Sequence, residues 1–161
     1  MYHPNITALL LGGLAFLGLS HAQKNCFLLT EKSFARYCTP LTFKDTTGGS
    51  VQGLPTASDC QDACRGVVGD PSDWLIDFST AADGAQHSML YYHCGFAISQ
   101  GKGTPHDAKI WLANQDLIAV YNGTLSRFGG LHGGKISAEG TMECDGLEVN
   151  WFIEDLYPWD K

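Results

Sequence analysis

NQDLIAVYNGTLSRFGG, residues 114–130, reads as a single amphipathic helix with both ends marked, and the rest of the architecture builds outward from it. At about 100° per residue, Leu117, Ile118, Tyr121, Leu125 and Phe128 fall in one stripe, with Gln115, Asp116, Ala119, Asn122, Ser126 and Arg127 opposite. Asn114 is placed to cap the start. Asp116 suits the positive end of the helix dipole and Arg127 the negative end, and Gly129-Gly130 offers a left-handed stop. Directly after it, 135–143 and 147–153 read as strands, with Leu147, Val149, Trp151 and Ile153 on one face. Asp145-Gly146 between them tolerates positive φ in a two-residue turn, so the expected product is an antiparallel hairpin beside a helix.

Working back towards the N-terminus, 109–112 is a short extended piece and 86–99 a long one, in which Met89, Tyr91 and His93 alternate with Leu90, Tyr92 and Cys94. Residues 73–78 alternate too, with Trp74, Ile76 and Phe78 on one side against Leu75 and Asp77. Ser58 with Gln61 predicts a capping box for a helix running to about Val68, which Gly69-Asp70-Pro71 ends. Cys60 and Cys64 lie on one face of that helix and should bond outward, because neighbouring helical turns rarely give the dihedral a disulfide needs. Residues 24–43 read as a strand or extended arm holding two further cysteines. The order predicts one α+β sandwich: an antiparallel sheet of about four to five strands with two helices on one face.

Residues 6–19 form an apolar run too short to span a bilayer comfortably, and Ser20-His21-Ala22 supplies small residues at a cleavage position, so 1–22 is expected to be a secretory signal. An N-terminal arm, 23–55, and a domain, 56–161, would then form one unit. All six cysteines, Cys26, Cys38, Cys60, Cys64, Cys94 and Cys144, follow the signal, and an even count in a secreted chain argues for three disulfides. Their scatter, without any C-x-x-C, disfavours zinc. The formal charge is −7 and the ten basic residues are dispersed, which disfavours nucleic acid or an anionic membrane as partner.

Catalytic motifs are poorly represented. His87, His93, His106 and His132 form no ligand array, no G-x-S-x-G elbow occurs, and pairing of all cysteines leaves no thiol nucleophile. Asp73, Asp77, Asp116, Glu139 and Glu143 could in principle furnish a glycosidase pair, but solvent-facing charge is the plainer reading. Asn122-Gly123-Thr124 is an N-glycosylation sequon. Trp74 and Trp151 fit the core side of strands, whereas Trp111 and Trp159 are less accounted for, with Trp159 the better candidate for a binding contact and a tail tucked against the sheet the equal alternative.

Taken as an ordered series, Ser58-Asp59-Cys60-Gln61, Cys94-Gly95-Phe96-Ala97-Ile98, Asn114-Gln115-Asp116-Leu117-Ile118, Gly140-Thr141-Met142-Glu143-Cys144 and Val149-Asn150-Trp151-Phe152-Ile153 resemble the fungal effectors typified by extracellular protein two, the necrosis-inducing factor domain. Asp59, Gly95, Phe96, Asn114, Asp116, Gly140 and Trp151 carry the resemblance, which spans about 56–153. It implies a killer-toxin-like sandwich with no catalytic residue and no cofactor, secreted to the host interface (the apoplast, for a plant-associated fungus), where it binds a target and induces or modulates cell death. The target would be a protein, a membrane channel or a glycan, and the protein a monomer. An antimicrobial killer-type toxin is the alternative. A glycan-binding or glycan-hydrolysing protein is a second one, since the family's domain also occurs beside chitin-degrading modules. Cys60, Cys94 and Cys144 match family cysteines, with Cys26 or Cys38 as a fourth, and the pairing favoured with the resemblance is Cys26–Cys94, Cys38–Cys64 and Cys60–Cys144.

Overall fold

The hairpin after the long helix is the centre of the sheet. In the computed structural model, which describes Cys26 and residues 35–48, 53–69, 72–80, 82, 84–90 and 92–156, β7 (Ala138–Cys144) pairs with β8 (Leu147–Glu154) in the expected register, Cys144 opposite Leu147. Asp145 and Gly146 turn it with φ of 51° and 80°, as a two-residue primed turn requires. Val149, Trp151 and Ile153 are fully buried, so the period of two in 147–153 is the core pattern. The expected signal, 1–22, and Trp159 lie outside the described residues.

Neighbours add on both sides of this hairpin. β1 (Cys38–Pro40) and β2 (Lys44–Asp45), both from the N-terminal arm, pair with β7. β5 (Gly95–Gln100) pairs with β8, and β4 (His87–Leu90) with β5, giving an antiparallel order β1-β7-β8-β5-β4 with β2 also on β7. The sheet thus has six strands rather than four to five, and a separate two-stranded ribbon joins β3 (Asp73–Asp77) to β6 (Lys109–Ala113). One correction accounts for part of the difference. The extended run expected over 86–99 breaks around 92–94 into a hairpin, where Cys94 is tethered to the first helix and Gly95 lies so near Leu90 O and Leu156 that a Cβ would meet them at 2.7 and 2.6 Å.

The first helix, α1, spans Ala57–Gly69 and buries Cys60, Ala63, Cys64 and Val67. Its cap is not Ser58, which lies within the helix. Thr56 Oγ1 accepts the Asp59 N–H at 3.1 Å while Asp59 Oδ2 accepts the Thr56 N–H at 2.7 Å, a reciprocal box that begins before the one expected. The second helix, α2, spans Asn114–Phe128 and packs against α1. Its buried face is rotated from the expected stripe: Leu117, Val120, Tyr121, Thr124 and Leu125 are buried with Asn114 and Asp116, whereas Ile118 and Phe128 are only partly so. Asn114 is the first helical residue rather than the cap, which is Ala113, and Gly129 ends the helix in right-handed geometry with φ −62°. Helix and sheet residues form one buried cluster, in which Tyr121 donates to Cys94 O at 2.9 Å and Trp151 Nε1 to Thr141 O at 3.2 Å.

Candidate functional site

The residues that the sequence singled out turn out to position the chain rather than to gather at one site. Phe96 and Trp151 are fully buried core, Asp59 completes the α1 box, Gly95 and Gly140 admit close neighbours, and Asn114 is buried at the start of α2. Asp116 Oδ2 accepts the Ala113 N–H at 2.9 Å and the Tyr37 N–H at 3.2 Å, so one carboxylate caps α2 and holds the N-terminal arm on it. Burial pushes its pKa up, against the lowering pull of the Ala113, Tyr37 and Cys38 backbone N–H groups.

All six cysteines are bonded, as Cys26–Cys64, Cys38–Cys144 and Cys60–Cys94. None of the three favoured pairs forms. Cys38 stands across the β1–β7 ladder from Cys144, and α1 lays Cys60 against the start of β5, where Cys94 is. The expectation that Cys60 and Cys64 bond away from each other holds, since α1 is fastened to the arm by one and to the sheet by the other. Asn122, in the sequon, is half-buried in α2, where its Oδ1 accepts the Cys26 N–H at 2.8 Å, and Thr124 is fully buried. The candidate carboxylates are likewise dispersed among partners, Glu139 on Lys44 at 2.5 Å and Asp77 on Lys109 at 2.6 Å. His132 pairs with Asp45 at 2.7 Å and His93 lies 3.9 Å from Asp155. Among the described residues no three His, Cys, Asp or Glu side chains gather as a metal site.

The surface that stands out is the outer face of the β3–β6 ribbon. Register puts Asp73, Leu75 and Asp77 across from Ala113, Trp111 and Lys109, while Ile76, Ile110 and Leu112 are buried beneath and Trp74 packs against the core. Leu75 and Trp111 are direct cross-strand partners, 52% and 44% exposed, an apolar pair left in solvent. Tyr37 comes from the arm to lie beside Trp111, their ring centroids 6.2 Å apart, and its hydroxyl donates to Asp73 Oδ2 at 3.3 Å. Desolvation, then the Asp73, Asp145 and Asp116 carboxylates, raise the Tyr37 phenol pKa. At the far end the Lys109 ammonium and Ser79 hold the Asp77 carboxyl down at about 2. Local pattern alone neither assigns Trp111 nor connects it with Leu75. The signal was nonetheless present, because buried Ile110 and Leu112 force Trp111 to the other face of a strand.

A small α+β domain stapled by three disulfides suggests a protein of an oxidising, extracellular environment. The family model described as "Pathogen effector; putative necrosis-inducing factor", Hce2, matches residues 37–144, and the chain belongs to that family. A search of curated proteins returns no match. Family and disulfides together suggest an extracellular protein, and membership supports a pathogen effector role.

Proposed function

We propose that the protein is a secreted effector that acts at the host interface by binding rather than by catalysis, and that the Leu75–Trp111 face is where it binds. The observation that carries this is the pairing itself: two large apolar side chains stand directly opposite each other in solvent on a short ribbon. Burying such a pair in a partner is favourable at about 25 cal/mol per Å² of apolar area, and a Trp is the residue type most often found at an energetic hot spot. The ribbon is held against the arm through Tyr37 and the Cys38–Cys144 staple, so the face is pre-organised and little ordering cost attends binding. Induction or modulation of host cell death is then the consequence of occupying a host target. Infiltration of purified protein into host leaf tissue tests this, alongside a reduced and alkylated control and the exposed-face variants Leu75→Ser and Trp111→Ala. The oxidised wild type should cause necrosis or a defence response, and the others much less. Full activity of both face variants would place the binding surface elsewhere; no host response to the wild type would defeat the reading.

A further inference from the structure

We infer that the ribbon face docks a basic segment of a partner protein, seating a lysine or arginine against Trp111 beside Asp73. The inference deepens the binding reading above, on which it rests, by naming the partner's chemistry. Geometry comes first. Trp111 and Tyr37 offer two adjacent rings tilted by 38°, and the negative face of an aromatic ring attracts a cation within about 6 Å of its centroid. Asp73 stands beside them. Its Oδ2 takes the Tyr37 hydroxyl, which fixes the carboxylate beside the rings, and its covered Oδ1 accepts no hydrogen bond from any described residue, so no described donor offsets the acidic group there beyond that phenol. Leu75, across from Trp111, is apolar surface on which the methylene stem of a lysine or arginine can lie.

Charge selects among occupants. Asp73, Asp116 and Asp145 all bear on Tyr37, and of the nearby cations Lys109 is engaged by Asp77 while Arg36 acts on Asp116. The whole chain carries −7. A phosphate-rich surface would be repelled from this face, and a neutral pyranose could stack on Trp111 but would gain nothing from the carboxylates. A basic, partly apolar polypeptide uses every feature of the site, and electrostatic steering would raise its rate of encounter.

The test uses the mature oxidised protein and a blocked hexapeptide alternating lysine and leucine, followed by backbone amide shifts at low and physiological salt. A glutamate–leucine peptide, a neutral cello-oligosaccharide and phosphatidylserine vesicles are run in parallel. The lysine peptide should bind saturably, shift the β3, β6 and Tyr37 amides and weaken with salt. Asp73→Asn and Trp111→Ala should lower affinity about tenfold or more, Trp111→Phe much less, and Asp62→Asn, on exposed α1 surface, not at all. Preserved amide dispersion in Trp111→Phe and Asp73→Asn shows that the fold is kept. Absence of saturable binding, equal effects of Asp73→Asn and Asp62→Asn, or preference for the oligosaccharide or the vesicles overturns the inference. Leaf necrosis lost in Trp111→Ala but intact in Asp73→Asn would overturn it too, while leaving the binding reading in place.

Discussion

Cys38 sits directly opposite Cys144 in the β1–β7 ladder, their Cα atoms 4.1 Å apart, and the two are bonded. This bond joins residues 106 positions apart in sequence and fixes an edge strand only three residues long. Cys38 Sγ also lies 3.4 Å from Trp111 O, and Tyr37 precedes it, so the same staple holds the arm against the ribbon face. A structural device and the candidate surface therefore share one anchor.

Removing that bond by replacing both cysteines with serine should cost more than removing Cys60–Cys94, which closes a separation of 34 residues. Loop-closure entropy gives about 4–5 kcal/mol for the long closure and about 3–4 for the short one. Guanidinium unfolding of the two double variants reads the difference, and a lower midpoint for the Cys60–Cys94 variant would show that native contacts rather than chain entropy dominate.

Gly140 stands opposite Trp151 in β7–β8, where an added Cβ would run into Thr42 O and the Trp151 indole. Gly140→Ala should destabilise by about 2–3 kcal/mol, because one obstacle is backbone and the other a fully buried ring. Gly130 has no atom within 4 Å of the same position, and Gly130→Ala should stay within about 0.5 kcal/mol of the parent. Paired thermal melts decide it, and similar shifts in the two variants would mean that β7 yields easily.

Much of this architecture is legible in the sequence. The Asp145-Gly146 turn, the buried alternation of β8 and the span of α2 follow from local patterns, and so does the outward position of Trp111 once Ile110 and Leu112 are taken as core. Cysteine pairing is not legible, because it depends on which strand lies beside which: only β1 in register on β7 makes Cys38 and Cys144 neighbours. The break at 92–94 is hidden because apolar alternation runs straight across it, and the α2 cap because Asn114 is the standard capping type although Asp116, inside the helix, does the capping. Leu75 and Trp111 meet only through a long-range strand pairing, so the candidate face is divided between two unremarkable strands.

Asp116 is the buried group whose ionisation should be felt. Asp116→Ala strands two backbone donors, those of Ala113 and Tyr37, and should cost about 2–3 kcal/mol, whereas Asp116→Asn keeps an acceptor and should cost less. Its folded pKa is raised from the ordinary 3.8, so the unfolded chain ionises first as pH climbs. Below that value both states are protonated; stability falls as pH rises from there through the folded pKa, then levels. The amide introduced by Asp116→Asn does not titrate, so the stability of the parent relative to this variant should decline across that window. Chemical denaturation at successive pH values measures it, and a relative stability that rises with pH would show that the N–H donors, not burial, set the pKa.

Asn122 tests whether the sequon is used or built in. Its Oδ1 holds the Cys26 N–H beside the Cys26–Cys64 bond, Gly123 abuts Phe43, and the Thr124 side chain is fully buried, so the tripeptide is locked in helix once α2 has packed. A glycan is a bulky surface group, and α2 here leaves it only a half-buried attachment point beside the arm. Protein secreted from a eukaryotic host should therefore have the intact mass of the bare polypeptide, unchanged by glycosidase treatment. Asn122→Asp, which retains an acceptor oxygen, should keep the parent's stability more nearly than Asn122→Ala, which loses about 1 kcal/mol with the hydrogen bond. A mass excess that Asn122→Asp abolishes would mean that the sugar is attached before α2 closes, and the arm would then have to pack around it.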